Sequence, residues 1–223
     1  VGHSPKTGCS TIKATILKDL GLDKNELIQE EWHVKMDDAL GNEEIPVYTI
    51  DYKDNSSIKE FTKVCVVRNP YKRLISGIRH RFVKVAVDNH SLPIEHVENM
   101  VKKSELTVNE LVIHLQQNDF SPDKHHFQPQ TVYLLEDIIF DRVYDISDMG
   151  LFISDHFPNQ ENKRYASNIK VHTAKYDNID IDYTNMKIKD IIKEESFSPN
   201  PHHWFSAESI KIINELFKED FEF

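Results

Sequence analysis

Residues 4–13, SPKTGCSTIK, combine small residues, hydroxyl side chains and a lysine directly before an amphipathic helix. The free N–H groups and the dipole of a helix N-terminus favour an anion. Gly8 permits close backbone approach and Lys6 supplies a positive charge. Three hydroxyl donors accompany them: Thr7, Ser10 and Thr11. Lys6 precedes Gly8 instead of following it, so the loop is not a Walker sequence. These residues fit either an anion-binding loop or a capped turn.

A second cationic cluster lies in VVRNPYKRLIS, residues 66–76. Arg68 ends an apolar run typical of a buried strand, and open α/β sheets bind ligands at the carboxyl ends of their strands. Ser76 falls inside the apolar stripe of the helix that follows, which also carries Arg73 and Arg79. A guanidinium together with a hydroxyl suits a phosphate group. The alternative is a basic helix face exposed to solvent.

The two motifs resemble those of sulfotransferases that use 3′-phosphoadenosine 5′-phosphosulfate (PAPS). SPKTGCST is similar to their 5′-phosphosulfate-binding loop, and RNPYKRLISGIRHRF is similar to their 3′-phosphate motif, Arg-x-Pro-x-x-Arg-x-x-Ser. They occur in the family's order, about 60 residues apart. HHFQPQ at 125–130 and the C-terminal FKEDFEF resemble two weaker patterns of the carbohydrate, Golgi-type branch that acts on chondroitin and dermatan.

The resemblance implies a P-loop-like α/β fold and in-line transfer of a sulfuryl group to an acceptor hydroxyl, with PAP (adenosine 3′,5′-bisphosphate) as product. The acceptor that it implies is a carbohydrate. Lys6 would contact the bridging oxygen, and Arg68 and Ser76 the 3′-phosphate. The remaining donor-binding candidates are Pro5, Thr7, Gly8, Cys9, Ser10, Thr11, Arg73 and, in a basic run, Lys163 and Arg164. No metal is expected to be required, because a lysine and backbone N–H groups replace the Mg²⁺ of kinases.

The acceptor hydroxyl must lose a proton, so a general base is expected. By the resemblance, His126 is the best candidate, since it lies three residues before Pro129, and His125 is the second. The family's usual aromatic residue after the histidine is Trp, whereas this chain has Phe127. Acidic alternatives remain open at Glu30, Glu31 and Asp123.

Alternating strands and helices must position these residues. We predict buried strands at 63–70 and 140–146, and helices from 71, over 107–118 and at the C-terminus. The polar stretch 88–104 is predicted to be a loop, and the prolines in 119–130 to prevent a regular helix there. The expected fold is a P-loop-like three-layer α/β fold with a central, mainly parallel sheet flanked by helices, in a single domain over 1–223. The motif at its start leaves open that part of the first strand precedes Val1.

The composition of the chain argues against several classes of protein. The formal net charge of −10 argues against a general nucleic-acid binder, and no apolar run reaches the length of a membrane span. Two cysteines, Cys9 and Cys65, cannot form a disulfide framework and fit a reduced intracellular protein. The resemblance points to a Golgi lumen, whereas the few cysteines, the lack of an anchor and the short chain favour a bacterial or cytosolic enzyme, which we expect.

Two other functions compete with the sulfotransferase interpretation. A small nucleotide or sugar kinase would need a lysine after Gly8 and an acidic Mg²⁺ ligand, and neither is in register. A non-catalytic nucleotide-binding module is expected to lose Lys6, Arg68 or Ser76, and all three are present. The adjacent His202 and His203 point apart and are not expected to hold a metal. Trp204 suits either adenine stacking or a hydrophobic staple. The acceptor and the oligomeric state are not specified by the sequence.

Overall fold

A computed structural model describes residues 2–3, 11–12, 15–16, 19, 61–87, 94–117, 124–133, 138–158, 175–176, 180–194, 196–198 and 200–222. The chain divides into two compact units. Unit 1 comprises Val1–Val67 and Leu134–Val171, and unit 2 comprises Arg68–Tyr133 and His172–Phe223. The expectation of a single domain over 1–223 stays a prediction.

The described strands are β1 (Gly2–His3), β2 (Val64–Val67), β3 (Arg142–Asp145), β4 (Lys175–Tyr176) and β5 (Ser196–Phe197). The helices with described bounds are α1 (Pro70–Val87), α2 (Ile94–Ser104), α3 (Val108–Gln116), α4 (Lys124–Phe127), α5 (Met149–His156), α6 (Ile188–Ile191), α7 (Ala207–Leu216) and α8 (Lys218–Phe221). Short 3₁₀ helices cover Gln130–Tyr133, Ile146–Asp148 and Pro201–His203.

Unit 1 contains a parallel sheet in the order β1–β2–β3. The central strand β2 pairs Cys65 with Gly2 on one side and with Val143 on the other. Its first three residues are buried, as expected for a strand covered on both faces of a parallel sheet. The core of the unit joins β2 and β3 to α5 and to the helical residues near position 12: Ile12, Val64, Val66, Tyr144, Met149 and Phe152.

Unit 2 is built around α1, whose apolar stripe is buried. The stripe lies in one core with the buried face of α3, the C-terminal helix α7 and an aromatic group that includes Trp204. Thr107 caps α3 through a capping box with Glu110. Strands β4 and β5 form a separate parallel pair. The core side chains of α1 are Leu74, Ile75, Ile78 and Phe82.

The structure confirms the mixed α/β character with parallel strands and the elements expected around 64–67, 70–87, 107–116, 142–145 and 207–221. The expectation that the strand at 140–146 is buried is wrong, because Arg142 and Val143 are exposed and Tyr144 is the buried residue of β3. The expectation of a loop over 88–104 is wrong for Ile94–Ser104, which is helical and buries Met100 in the core of unit 2. The expectation that 119–130 holds no regular helix is wrong for the single turn Lys124–Phe127, which lies between the two prolines. The three-layer arrangement stays a prediction. The sequence pattern at 45–50 also predicts a strand, and these residues lie outside the described part of the chain.

Candidate functional site

Arg68 directly follows the carboxyl end of β2 and is partly buried. The side-chain amide of Gln130 binds both backbone polar groups of this residue. The Arg68 N–H donates to Gln130 Oε1 at 3.1 Å, and Gln130 Nε2 donates to the Arg68 carbonyl at 3.0 Å. Gln130 is buried and Arg68 is partly buried, so both bonds are partly shielded from water. The backbone of the predicted phosphate ligand is therefore fixed on both sides of its Cα.

Asp220 on α8 holds Gln130 in turn. Its two carboxylate oxygens accept the backbone N–H groups of Gln130 at 2.8 Å and Thr131 at 3.0 Å. Together they cap the 3₁₀ helix Gln130–Tyr133, much as a carboxylate caps any helix N-terminus. Burial raises the pKa of Asp220, while these two N–H groups and the charge of Arg73 oppose that rise.

Helix α1 begins with a short cap directly after Arg68. The Lys72 N–H donates to Asn69 Oδ1 at 3.3 Å, and the Arg73 N–H donates to the Asn69 carbonyl at 2.9 Å. Pro70 occupies the first helical position, where its missing N–H costs nothing. The first turn has no acidic residue, so its dipole and N–H groups keep a positive field. Ser76 lies further along the same helix and is partly buried.

Arg73 is 2% exposed, unlike a typical solvated arginine. Its Nη1 donates to the backbone carbonyl of Gln128 at 2.6 Å. This bond ties α1 to the segment that carries the predicted base. A direct contact of Arg73 with the donor stays a prediction.

His126 lies on α4, and its ring stacks on His80 of α1 with 5.3 Å between ring centroids. The two elements approach closely because residue 77 is glycine. A Cβ placed there would lie 3.0 Å from the His126 carbonyl oxygen and 3.4 Å from Phe127 Cε1. Phe127 is buried and packs against Phe82, which anchors the turn in the core. His125 is helical, and its side chain lies outside the description.

The basic face of α1 is only partly solvated. The Arg79 guanidinium lies over the ring of Phe197, 3.5 Å from its centroid, in a cation–π contact. Burial lowers the pKa of Arg81. A wholly solvent-exposed basic face, the alternative considered from sequence, does not describe this helix.

Trp204 belongs to the core of unit 2. Its ring is fully buried and lies 4.7 Å from Tyr183, centroid to centroid, while Nε1 donates to the Ser198 carbonyl at 2.9 Å. Adenine stacking on this ring is therefore excluded as long as the core is intact. The staple position directly before the N-cap Ser206 is held by Phe205 instead.

Much of the predicted donor site lies outside the described residues: Pro5, Lys6, Thr7, Gly8, Cys9, Ser10, Lys163 and Arg164. The base alternatives Glu30, Glu31 and Asp123 lie outside them too. Thr11 is helical and accepts a bond from Thr15 Oγ1 at 2.8 Å through its carbonyl, so a helix does follow the loop. Ile12 of that helix is buried in the core of unit 1.

Sequence reasoning assigned no role to Gln130, Asp220 or His80. The first two lie in the weaker motifs, HHFQPQ and FKEDFEF, whose resemblance was noted without a function for these residues. Within the described part of the chain, no group of three or more His, Cys, Asp or Glu residues could hold a metal ion. No described helix is long and apolar enough to cross a membrane.

Comparison with known proteins identifies the family. The family model described as "Sulfotransferase family" matches residues 2–223, nearly the whole chain. The searches of curated proteins and of solved structures found no match to this chain. The match spans the loop at 4–13 and the Arg68–Ser76 motif, and it agrees with the resemblance drawn from those two motifs. The chain therefore belongs to the sulfotransferase family, whose reaction is the transfer of a sulfuryl group.

Proposed function

We propose that this protein transfers the sulfuryl group of PAPS to a hydroxyl group of a carbohydrate. The observation that carries the proposal is the family match over residues 2–223, because it includes both predicted anion-binding motifs in one chain. A donor with one phosphate on the 3′ position and another on the 5′ position of its ribose accounts for two such motifs, whereas a simple phosphate ester needs only one.

The 3′-phosphate is assigned to Arg68 and Ser76. Arg68 has a fixed backbone at the end of β2, so that its main chain loses no further conformational freedom when its guanidinium binds a phosphate. The absence of acidic residues from the first turn of α1 keeps repulsion low for a dianion nearby. The 5′-phosphosulfate is assigned to the loop from Pro5 to Thr11.

The chemical step forms a bond between the acceptor oxygen and sulfur and breaks the bond between sulfur and the bridging oxygen of the 5′-phosphate. The acceptor proton passes to a ring nitrogen of His126, and the products are the sulfate ester and PAP. Negative charge develops on the leaving phosphate, and Lys6 with the loop N–H groups is assigned to stabilise it. Positioning and charge stabilisation suffice for such a loose transition state.

Donor binding is tested by calorimetry with PAP and with ATP plus Mg²⁺. We expect PAP to bind and Arg68→Ala to weaken it by about tenfold or more, since a hydrogen bond to a charged group contributes about 1.5–3 kcal/mol. Binding of ATP plus Mg²⁺ alone would support the kinase alternative and end the proposal.

Acceptor and base are tested by transfer of labelled sulfuryl group from PAPS to a panel of glycans and small alcohols. We expect a glycan to be the preferred acceptor. His126→Ala should retain PAP binding and lose about 10²-fold or more in rate. The matched control is His202→Ala, because His202 is exposed on a 3₁₀ helix. Full activity of His126→Ala, or preference for simple alcohols, contradicts the respective assignment.

A further inference from the structure

Two residues outside the predicted donor contacts control the geometry of Arg68. We propose that Gln130 and Asp220 are positioning residues that fix the backbone of Arg68 and so determine the preference for nucleotides carrying a 3′-phosphate. The proposal rests on the function proposed above. It also gives a role to the two weaker motifs, since Gln130 ends HHFQPQ and Asp220 lies in FKEDFEF.

The first step is the bond pair between Gln130 and Arg68. The side-chain amide accepts from the N–H of Arg68 and donates to its carbonyl. It therefore satisfies both backbone groups of that residue, as a neighbouring β-strand would. Here the two bonds, at 3.1 and 3.0 Å, hold the residue that joins β2 to α1. Since Gln130 is 1% exposed and Arg68 is partly buried, both bonds are shielded from solvent more than a surface bond, and their loss should cost more.

The second step is the anchoring of Gln130 itself. Its segment is held at three successive backbone points: the carbonyl of Gln128 by Arg73, and the N–H groups of Gln130 and Thr131 by Asp220. Asp220 is 5% exposed, and its helix α8 follows Phe217 of the core. Helix α8 thus sets the position of the amide that holds Arg68.

The third step separates positioning from general stability. A network that served only the core would affect every ligand equally when weakened. The bonds from Asp220 through Gln130 lead to the backbone of Arg68, and that residue is assigned to one group of the donor. Its loss should therefore weaken ligands with a 3′-phosphate and leave ligands without one nearly unchanged.

The test compares dissociation constants of PAP and of adenosine 5′-phosphate, which lacks the 3′-phosphate, by calorimetry on folded variants. Gln130→Met removes the amide without adding charge. We expect its dissociation constant for PAP to rise about tenfold and that for adenosine 5′-phosphate to change by less than about twofold, as for loss of one charge-assisted contact. The matched control is Gln116→Glu at an exposed glutamine of α3, which should change neither.

Gln130→Glu adds a second measurement, the pH dependence of PAP binding. A residue that only stabilised the core would not change this dependence. When ionised, the carboxylate cannot donate to the Arg68 carbonyl. When protonated, it can donate to that carbonyl and accept from the Arg68 N–H, as the amide does. We expect PAP binding by this variant, relative to the unmodified protein at each pH, to recover as the pH falls from 8 to 5. The corresponding ratio for Gln130→Met should stay constant.

Asp220→Asn serves as an independent variant if the Gln130 variants do not fold. It keeps one acceptor oxygen of the two, so a smaller loss selective for PAP is expected. Equal losses for PAP and adenosine 5′-phosphate, or no loss, overturn the positioning role. An unmodified protein that does not prefer PAP over adenosine 5′-phosphate refutes the proposed function instead, and the positioning role with it.

Discussion

Gly77 lets α1 pack directly against the backbone of His126, and its replacement by alanine provides a stringent test of that packing. An added Cβ would lie 3.0 Å from the His126 carbonyl oxygen and 3.4 Å from Phe127 Cε1. The nearer atom belongs to the backbone and cannot rotate away. We therefore expect Gly77→Ala to separate α1 from α4 locally.

The change in the free energy of unfolding combines two opposing contributions, helix propensity and overpacking. Alanine is favoured over glycine in a helix by about 1 kcal/mol. Overpacking of a well-packed contact costs about 1–3 kcal/mol. The variant should thus be destabilised by up to about 2 kcal/mol in the free energy of unfolding, despite its better helix propensity.

The matched control is Gly150→Ala in α5. A Cβ at Gly150 meets nothing within 4 Å, so this variant gains helix propensity without a steric term. The gain is at most about 1 kcal/mol, because Gly150 lies in the first turn.

Thermal unfolding followed by circular dichroism measures both variants against the unmodified protein. For a chain of this length, 1 kcal/mol corresponds to about 2–4 °C in Tm. The stability difference between the two variants is at most about 3 kcal/mol, and Gly77→Ala should melt at the lower temperature of the two. If Gly77→Ala is as stable as Gly150→Ala, the close approach of α1 to the His126 backbone is wrong.

Three further predictions concern a helix cap, a thiol and a buried carboxyl. Thr107→Ala should lower stability by about 1 kcal/mol by removing the cap of α3, whereas the exposed Thr62→Ala should not, as measured by urea unfolding. Burial raises the pKa of Cys65 to about 12, so this free thiol should resist iodoacetamide at pH 8 in the folded protein and react after denaturation, as read by peptide mass spectrometry; rapid labelling of the native protein would contradict its burial. Burial also raises the pKa of Asp220 above its ordinary 3.8, so the stability contributed by its protonated form is complete below that value and is lost as pH rises through the raised pKa. The Asp220→Asn variant cannot ionise at this position, so it should lose less stability than the unmodified protein as the pH rises. Identical pH profiles of the two proteins in urea unfolding would exclude a raised pKa.

Elements with strong local signals were predictable from the sequence. The apolar run ending in Asn-Pro predicts β2, and the amphipathic pattern over 107–118 predicts α3. The loop expected over 88–104 was wrong at α2, where apolar residues recur at helical spacing within a mostly polar sequence: Ile94, Val97, Met100 and Val101. Its stability depends on tertiary contacts such as the burial of Met100, which helical periodicity alone does not reveal.

The role of Arg73 shows the limit of motif reasoning. Its place in the Arg-x-Pro-x-x-Arg-x-x-Ser pattern predicts a donor contact, which stays a prediction. The structure adds what the pattern does not state, namely that Arg73 is buried and that its Nη1 donates to the Gln128 carbonyl. A sequence pattern states which residue type occurs, but the direction of a long side chain depends on what packs around it.

The sequence by itself determined the family, through two motifs whose residues are close together and therefore act locally. Only the tertiary structure brought Gln130 to Arg68 across 62 positions and Asp220 to Gln130 across 90. Hydrogen bonds require donor and acceptor within about 3 Å, a precision that depends on how α1, the 3₁₀ helix and α8 pack together. Composition and periodicity specify which elements form, whereas packing decides which of their polar groups meet.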